Sequence, residues 1–150
     1  MANKTSDLEK GVQLFNAGCN CAQATLQGIA PDNMNSEQMQ LICSAFGGGI
    51  ARYGKTCGAV TGALMGIGLK YGYTLDTKDS EAAKCLNLSQ LLVSKFEAEF
   101  GSSDCKALIG YDISDPEKKE LAGKSGVFET RCPKFVAGAI KIVEDMEGEG

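Results

Sequence analysis

Four cysteines, Cys21, Cys57, Cys105 and Cys132, share a setting that could support redox chemistry. Each falls at, or within a residue or two of, an expected helix start. Unpaired N–H groups and the helix dipole favour an anion there. Lys55 precedes Cys57, Lys106 follows Cys105 and Arg131 precedes Cys132. A helix N-terminus and a neighbouring cation both lower a thiol pKa, and the thiolate is the form that attacks disulfides and binds metals. The pattern predicts a single redox site assembled from four helix ends. Cys43 and Cys85 differ, because they lie mid-helix on apolar stripes and read as small core residues. Cys19 lies in the turn before the second helix, and its role is open. A Cys19–Cys21 disulfide would close a small, strained ring.

Composition narrows the chemistry further. Seven cysteines in 150 residues are many, and the chain has no histidine and no tryptophan. Without histidine there is no His-ligated zinc or iron, no Ser-His-Asp triad and no CxxCH haem attachment. In a reducing compartment, abundant cysteine points to metal or thiol chemistry more than to structural disulfides. The net charge of -4 argues against nucleic acid and anionic membranes as partners. No apolar run approaches the ~20 residues of a membrane span. The start, MANKTSDLEKG, lacks the apolar core of a signal peptide, so a cytoplasmic protein is expected.

The elements that must position the cysteines are helices. Ser6 and Glu9 form a capping-box pattern before a helix over 6–17, which Gly18 ends. Asn20 caps a helix over 21–29. A third helix runs over 36–46 from Ser36 until Gly47, Gly48 and Gly49 stop it. Thr56 caps a fourth over 57–71, with Gly58, Gly62 and Gly66 on one face and Val60, Leu64, Ile67 and Tyr71 on the other. Each internal glycine costs up to ~1 kcal/mol relative to alanine. The offsetting gain is close approach of another backbone or of a bulky ligand, so Gly58 and Gly62 are candidate cofactor contacts. The longest helix, over 80–100, has the stripe Leu88, Leu92 and Phe96 and ends at Gly101. Ser102 or Ser103 then caps a short helix holding Cys105, Leu108 and Ile109. Residues 111–127 are polar, with a single turn at PEKKEL. Cys132-Pro133 opens the last helix, and the acidic tail after Glu144 should fray. With no alternating strand pattern, the expected fold is all-α. It is a single domain over 1–150, core about 6–145, built as a bundle of six or seven helices around the glycine-rich one.

The fragments NCAQA, FGGGIARYGKTCGAVTGALMGIGLKYG, FGSSDC and RCPKFV resemble the C-GCAxxG-C-C family, small bacterial proteins to which redox activity is ascribed. The resemblance runs from about Leu8 to Val143 and is most specific at Cys57–Gly62. It implies that Cys21, Cys57, Cys105 and Cys132 are the family cysteines, and that Cys19, Cys43 and Cys85 are additions. Similar sequence in split-Soret cytochromes, where four cysteines are thought to hold an iron–sulfur cluster, implies such a cluster here. The haem part of that analogy does not transfer. Selenoprotein relatives imply thiol redox chemistry instead.

Three readings of the thiols follow. Four thiolates satisfy the ligand count of an iron–sulfur cluster in an electron-transfer or sensor protein. Two of them could cycle in a thiol–disulfide oxidoreductase or redox sensor, through a pairing that spacing does not reveal. A four-cysteine structural zinc site is the third, although such sites usually come as two close pairs. Whether the chain is an enzyme is open, as is homodimer formation. A redox partner protein of unknown identity is expected. The Gly47–Gly49 turn lacks the GK[ST] ending of a P-loop, while Arg52 and Lys55 could attract an anion.

Overall fold

The computed structural model describes residues 6–149. It is all-α: no strand occurs among these residues. The order is α1 (Asp7–Ala17), α2 (Cys21–Ile29), α3 (Ser36–Cys43), α4 (Gly58–Tyr71), α5 (Lys78–Phe100), α6 (Cys105–Ile109), α7 (Pro116–Ser125), α8 (Val127–Thr130) and α9 (Cys132–Glu149). Among the described residues the helix count therefore exceeds the expected six or seven, because α7 and α8 both add to it. PEKKEL opens the ten-residue α7 rather than a single turn.

The start signals act locally. The Ser6 side chain accepts from the Glu9 amide, and Asn20 and Gln23 close a reciprocal capping box at α2. Gly18, Gly101 and Gly110 end α1, α5 and α6 with positive φ. Other expected caps shift by a residue. Asn35 rather than Ser36 caps α3, Cys57 rather than Thr56 stands at the N-cap of α4, and Asp104 precedes α6. The tail does not fray at Glu144. Met146 buries itself in the core and Glu147 pairs with Lys70 at 2.8 Å, which carries α9 to Glu149.

α4 packs on α2, α5 and α9. Its glycine face meets α2 directly. A Cβ on Gly62 would lie 2.6 Å from the Ala22 carbonyl oxygen, and one on Gly66 would strike Ile29. Val60, Ala63 and Ile67 on the same helix are fully buried, together with Leu92 and Phe96 of α5 and Val136, Ala139 and Ile140 of α9. A smaller cluster of Ala22, Leu26, Met39 and Cys43 fills the space under α3. Burying a side chain such as Ile140 contributes about 1.5–3 kcal/mol, so these faces fix how the helices meet.

The segment between α3 and α4 winds the wrong way. Gly48, Gly49, Ile50, Ala51 and Arg52 all have positive φ, from 53° to 72°. Left-handed backbone costs ordinary residues about 1–2 kcal/mol each. Bonds from the Gly54 amide to the Gly48 carbonyl and from the Lys55 amide to the Gly49 carbonyl tie the turn closed. The glycines do not stop α3, which ended at Cys43. They make room: a Cβ on Gly47 would strike Asn20, and one on Gly49 would sit 2.7 Å from the Cβ of Cys105. Ile50 is partly exposed and β-branched, so its strain is not offset by full burial. Asparagine tolerates this backbone, so Ile50→Asn is expected to raise the unfolding free energy by about 1 kcal/mol. A denaturant midpoint that stays put or falls would contradict that origin of strain.

Candidate functional site

The left-handed turn leads into residues 54–57, which run antiparallel to residues 103–106. Thr56 and Asp104 form an isolated bridge. The Cys57 amide donates to the Ser103 carbonyl at 2.8 Å, and the Cys105 amide donates to the Lys55 carbonyl at 2.7 Å. This pairing sets Cys57 and Cys105 in fixed register at the starts of α4 and α6. Gly58 brings in the third cysteine, since a Cβ there would lie 2.9 Å from the Cys21 Cβ and from the Ala22 amide nitrogen. Cys132 starts α9, where Phe135 packs edge-on against Phe100.

Cys21, Cys57, Cys105 and Cys132 all line one cavity of about 680 Å³. Its walls also include Phe15, the Gly47–Gly49 turn, Arg52, Gly58, Leu108, Lys119, Phe128 and Phe135. Of the two glycines expected at a cofactor, Gly58 lines the cavity, while Gly62 is occupied by α2. Cys43 and Cys85 are buried away from the cavity, and Cys43 donates its thiol to Met65 Sδ at 3.4 Å. Cys19 does not line it either, and the Gln27 side-chain amide reaches its sulfur at 3.7 Å. Lys119 and Phe128 lie on α7 and α8, where the sequence offered little apolar periodicity to announce them.

The electrostatics reverse the sequence expectation for three of the four thiols. Burial pushes the Cys57 thiol up to about 12, with repulsion from Cys105 and Cys132 adding to it. The Ala59 and Val60 amides partly offset this without closing a cap hydrogen bond. Cys105 rises to about 11, again chiefly through burial. Cys21 is raised well above its ordinary value because its thiol is held as a hydrogen-bond donor to Cys132, with burial and the other three sulfurs adding to the shift. Cys132 alone is lowered, by that same hydrogen bond. The neighbouring cations do not rescue the others. The Arg131 guanidinium donates to the Leu108 carbonyl at 3.2 Å, and Lys106 pairs with Asp112 at 3.7 Å.

Raised thiols make a pH prediction. Folded Cys57 and Cys105 keep protons that the unfolded chain releases near pH 9, so their contribution is complete below about 9 and is lost as pH rises towards 11–12. The reduced, metal-free protein should lose stability as pH rises from about 9 to about 12, and Cys57→Ala should flatten that decline. Equal slopes in the two proteins, by denaturant unfolding, would refute the assignment.

Among the described residues no three Cys, Asp or Glu side chains are gathered as a ready shell for a single metal ion. No helix among them is long and apolar enough to cross a membrane. No curated protein and no solved structure matches the chain. A sequence profile of the C-GCAxxG-C-C family, described as "putative redox-active protein", matches residues 19–146 and so takes in all four cavity cysteines. By that match, over most of its length, the chain belongs to the C-GCAxxG-C-C family.

Proposed function

We propose that the cavity is a redox centre in which Cys21, Cys57, Cys105 and Cys132 hold an iron–sulfur cluster for electron transfer or redox sensing. One observation carries the reading: four thiols from four separate helix starts line a single cavity in a chain without histidine. The donor set fits, since four thiolates are the usual ligands of such clusters. A single zinc ion needs all four sulfurs about 2.3 Å from one point, and the thiols do not stand so. A polynuclear cluster spreads its ligands around a larger core, which accords better with thiols distributed along cavity walls. When bound, the cluster would supply one-electron transfer. The chain's own residues supply its setting. The Ala59 and Val60 amides lie at the Cys57 sulfur, the Gly49 turn abuts Cys105, and Phe15 and Phe135 limit water at the wall. Nearby amide donors and low solvent access both tune cluster potential. Burial that disfavours a bare thiolate also favours a cationic metal core beside it. A redox partner protein in a reducing, cytoplasmic setting completes the reading.

The test is iron and acid-labile sulfide content, with a visible spectrum, on protein purified without oxygen. Iron and sulfide in matching amounts support the cluster. Colourless, metal-free protein with freely titrating thiols overturns it.

The hydrogen-bonded pair of Cys21 and Cys132 favours a second reading, a thiol–disulfide oxidoreductase. Cys132, the more acidic thiol of the pair, would attack a substrate disulfide as its thiolate and release one substrate thiolate. Cys21 would then displace the other, leaving a Cys21–Cys132 disulfide and two reduced substrate sulfurs. Mass mapping after mild oxidation of the metal-free protein would find that linkage, and any other pairing would count against it.

A further inference from the structure

The cavity walls carry a charge pattern that the thiols do not explain. Two charged residues line it, Arg52 and Lys119, and both are cations. No carboxylate lines it, although the chain holds 19 acidic residues against 15 basic ones. Both cations are exposed at the cavity rim and neither has an ion-pair partner among the described residues, whereas Lys124 on the same helix as Lys119 is paired with Glu120. Arg52 is also placed at a cost. It has φ of 63°, in the strained left-handed turn, and its stem crosses Gly48, where a Cβ would lie 2.8 Å from the arginine Cγ. Gly47, Gly48 and Gly49 of the same turn line the cavity beside it. The remaining wall is largely apolar, with Phe15, Leu108, Ile113, Phe128 and Phe135.

Cations without carboxylates above apolar walls together describe the complement of one ligand class. We propose that the cavity binds an organic anion, its charged group at Arg52 and Lys119 and its apolar body against Phe15, Phe128 and Phe135. This assigns the substrate class of the cavity that the preceding section treats as the working site, and it rests on that reading only for the ligand's fate, not for its binding. Charge-assisted hydrogen bonds from guanidinium and ammonium groups fix the anionic end.

The experiment uses the reduced, metal-free full chain and calorimetric titration at low ionic strength. The probes are naphthalene-2-sulfonate, uncharged 2-naphthol and inorganic sulfate. The sulfonate should bind about tenfold or more tightly than either simpler probe, as charged hydrogen bonds require. Arg52→Gln and Lys119→Gln should each weaken the sulfonate by about tenfold and leave 2-naphthol unchanged. Lys124→Gln, on the same helix but paired with Glu120, should have no effect. Equal binding of sulfonate and naphthol overturns the proposal, as does an Arg52→Gln protein that is folded by circular dichroism and binds normally. A Cys57→Ser protein separates the two readings. Sulfonate binding that persists there, with its Arg52 dependence, supports the anion site even if no redox centre forms. Its loss from a folded Cys57→Ser protein overturns the assignment of the charge to Arg52 and Lys119.

Discussion

Gly62→Ala should destabilise the protein, although it improves helix propensity. Alanine in place of a helical glycine ordinarily gains about 1 kcal/mol. At this position the new methyl would stand 2.6 Å from the Ala22 carbonyl oxygen and 3.1 Å from the Ala22 Cα. Both are backbone atoms, so no rotamer change relieves the clash and α2 must move away from α4. Overpacking of this kind costs about 1–3 kcal/mol, enough to overturn the propensity gain. Gly68→Ala on the same helix is the matched control. Nothing lies within 4 Å of its Cβ position, and Gly68 is exposed, so that variant should gain about 0.5–1 kcal/mol. Urea unfolding of the two variants side by side gives the answer, and a stabilised Gly62→Ala protein would refute tight α2–α4 packing. The damage should extend to the cavity, because the same displacement carries Cys21 away from Cys57.

The seven cysteines should divide four to three when each is replaced by alanine. Losing Cys21, Cys57, Cys105 or Cys132 removes a cavity sulfur, and under the proposed cluster each loss should abolish or severely reduce bound iron and the visible spectrum. Losing Cys43 or Cys85 removes a packed side chain. Such variants should lose on the order of 1 kcal/mol of stability and keep the spectrum. Cys19 belongs with these two by position, since it does not line the cavity. Iron content measured beside thermal midpoint separates the groups. A spectrum that survives Cys105→Ala, or vanishes with Cys43→Ala in a folded protein, would break the assignment.

Much of the architecture was legible because local chemistry and tertiary packing agree. Ser6, Asn20 and the terminal glycines act within a turn of where they stand, and Val60, Leu92, Phe96 and Val136 repeat with the helical period. The glycine row of α4 was readable as close approach, but not what approached. The structure gives Gly62 to Ala22 and only Gly58 to the cavity wall. α7 was underestimated because Ala122 is its single buried residue, leaving no apolar stripe to extend the helix. The left-handed turn was hidden for another reason: Ile50, Ala51 and Arg52 are residue types that normally avoid that backbone. Thiol acidity was misjudged from neighbours in sequence. Adjacency does not give direction, and Lys106 and Arg131 turn to Asp112 and to the Leu108 carbonyl instead.

The antiparallel pairing of Thr56 with Asp104 has a consequence for the order of synthesis. Cys57 reaches its place only when a segment from the second half of the chain arrives to hold it, and Cys132 arrives later still. A nascent chain emerging from the ribosome carries Cys21 and Cys57 for some time before their neighbours exist. Unlike ferredoxin ligands, which can be gathered within one short run, these thiols cannot capture a centre locally. For the proposed cluster, assembly would have to follow folding, with the inorganic core delivered into a finished cavity. Chains truncated before Cys105 should therefore leave the ribosome with Cys21 and Cys57 unassembled.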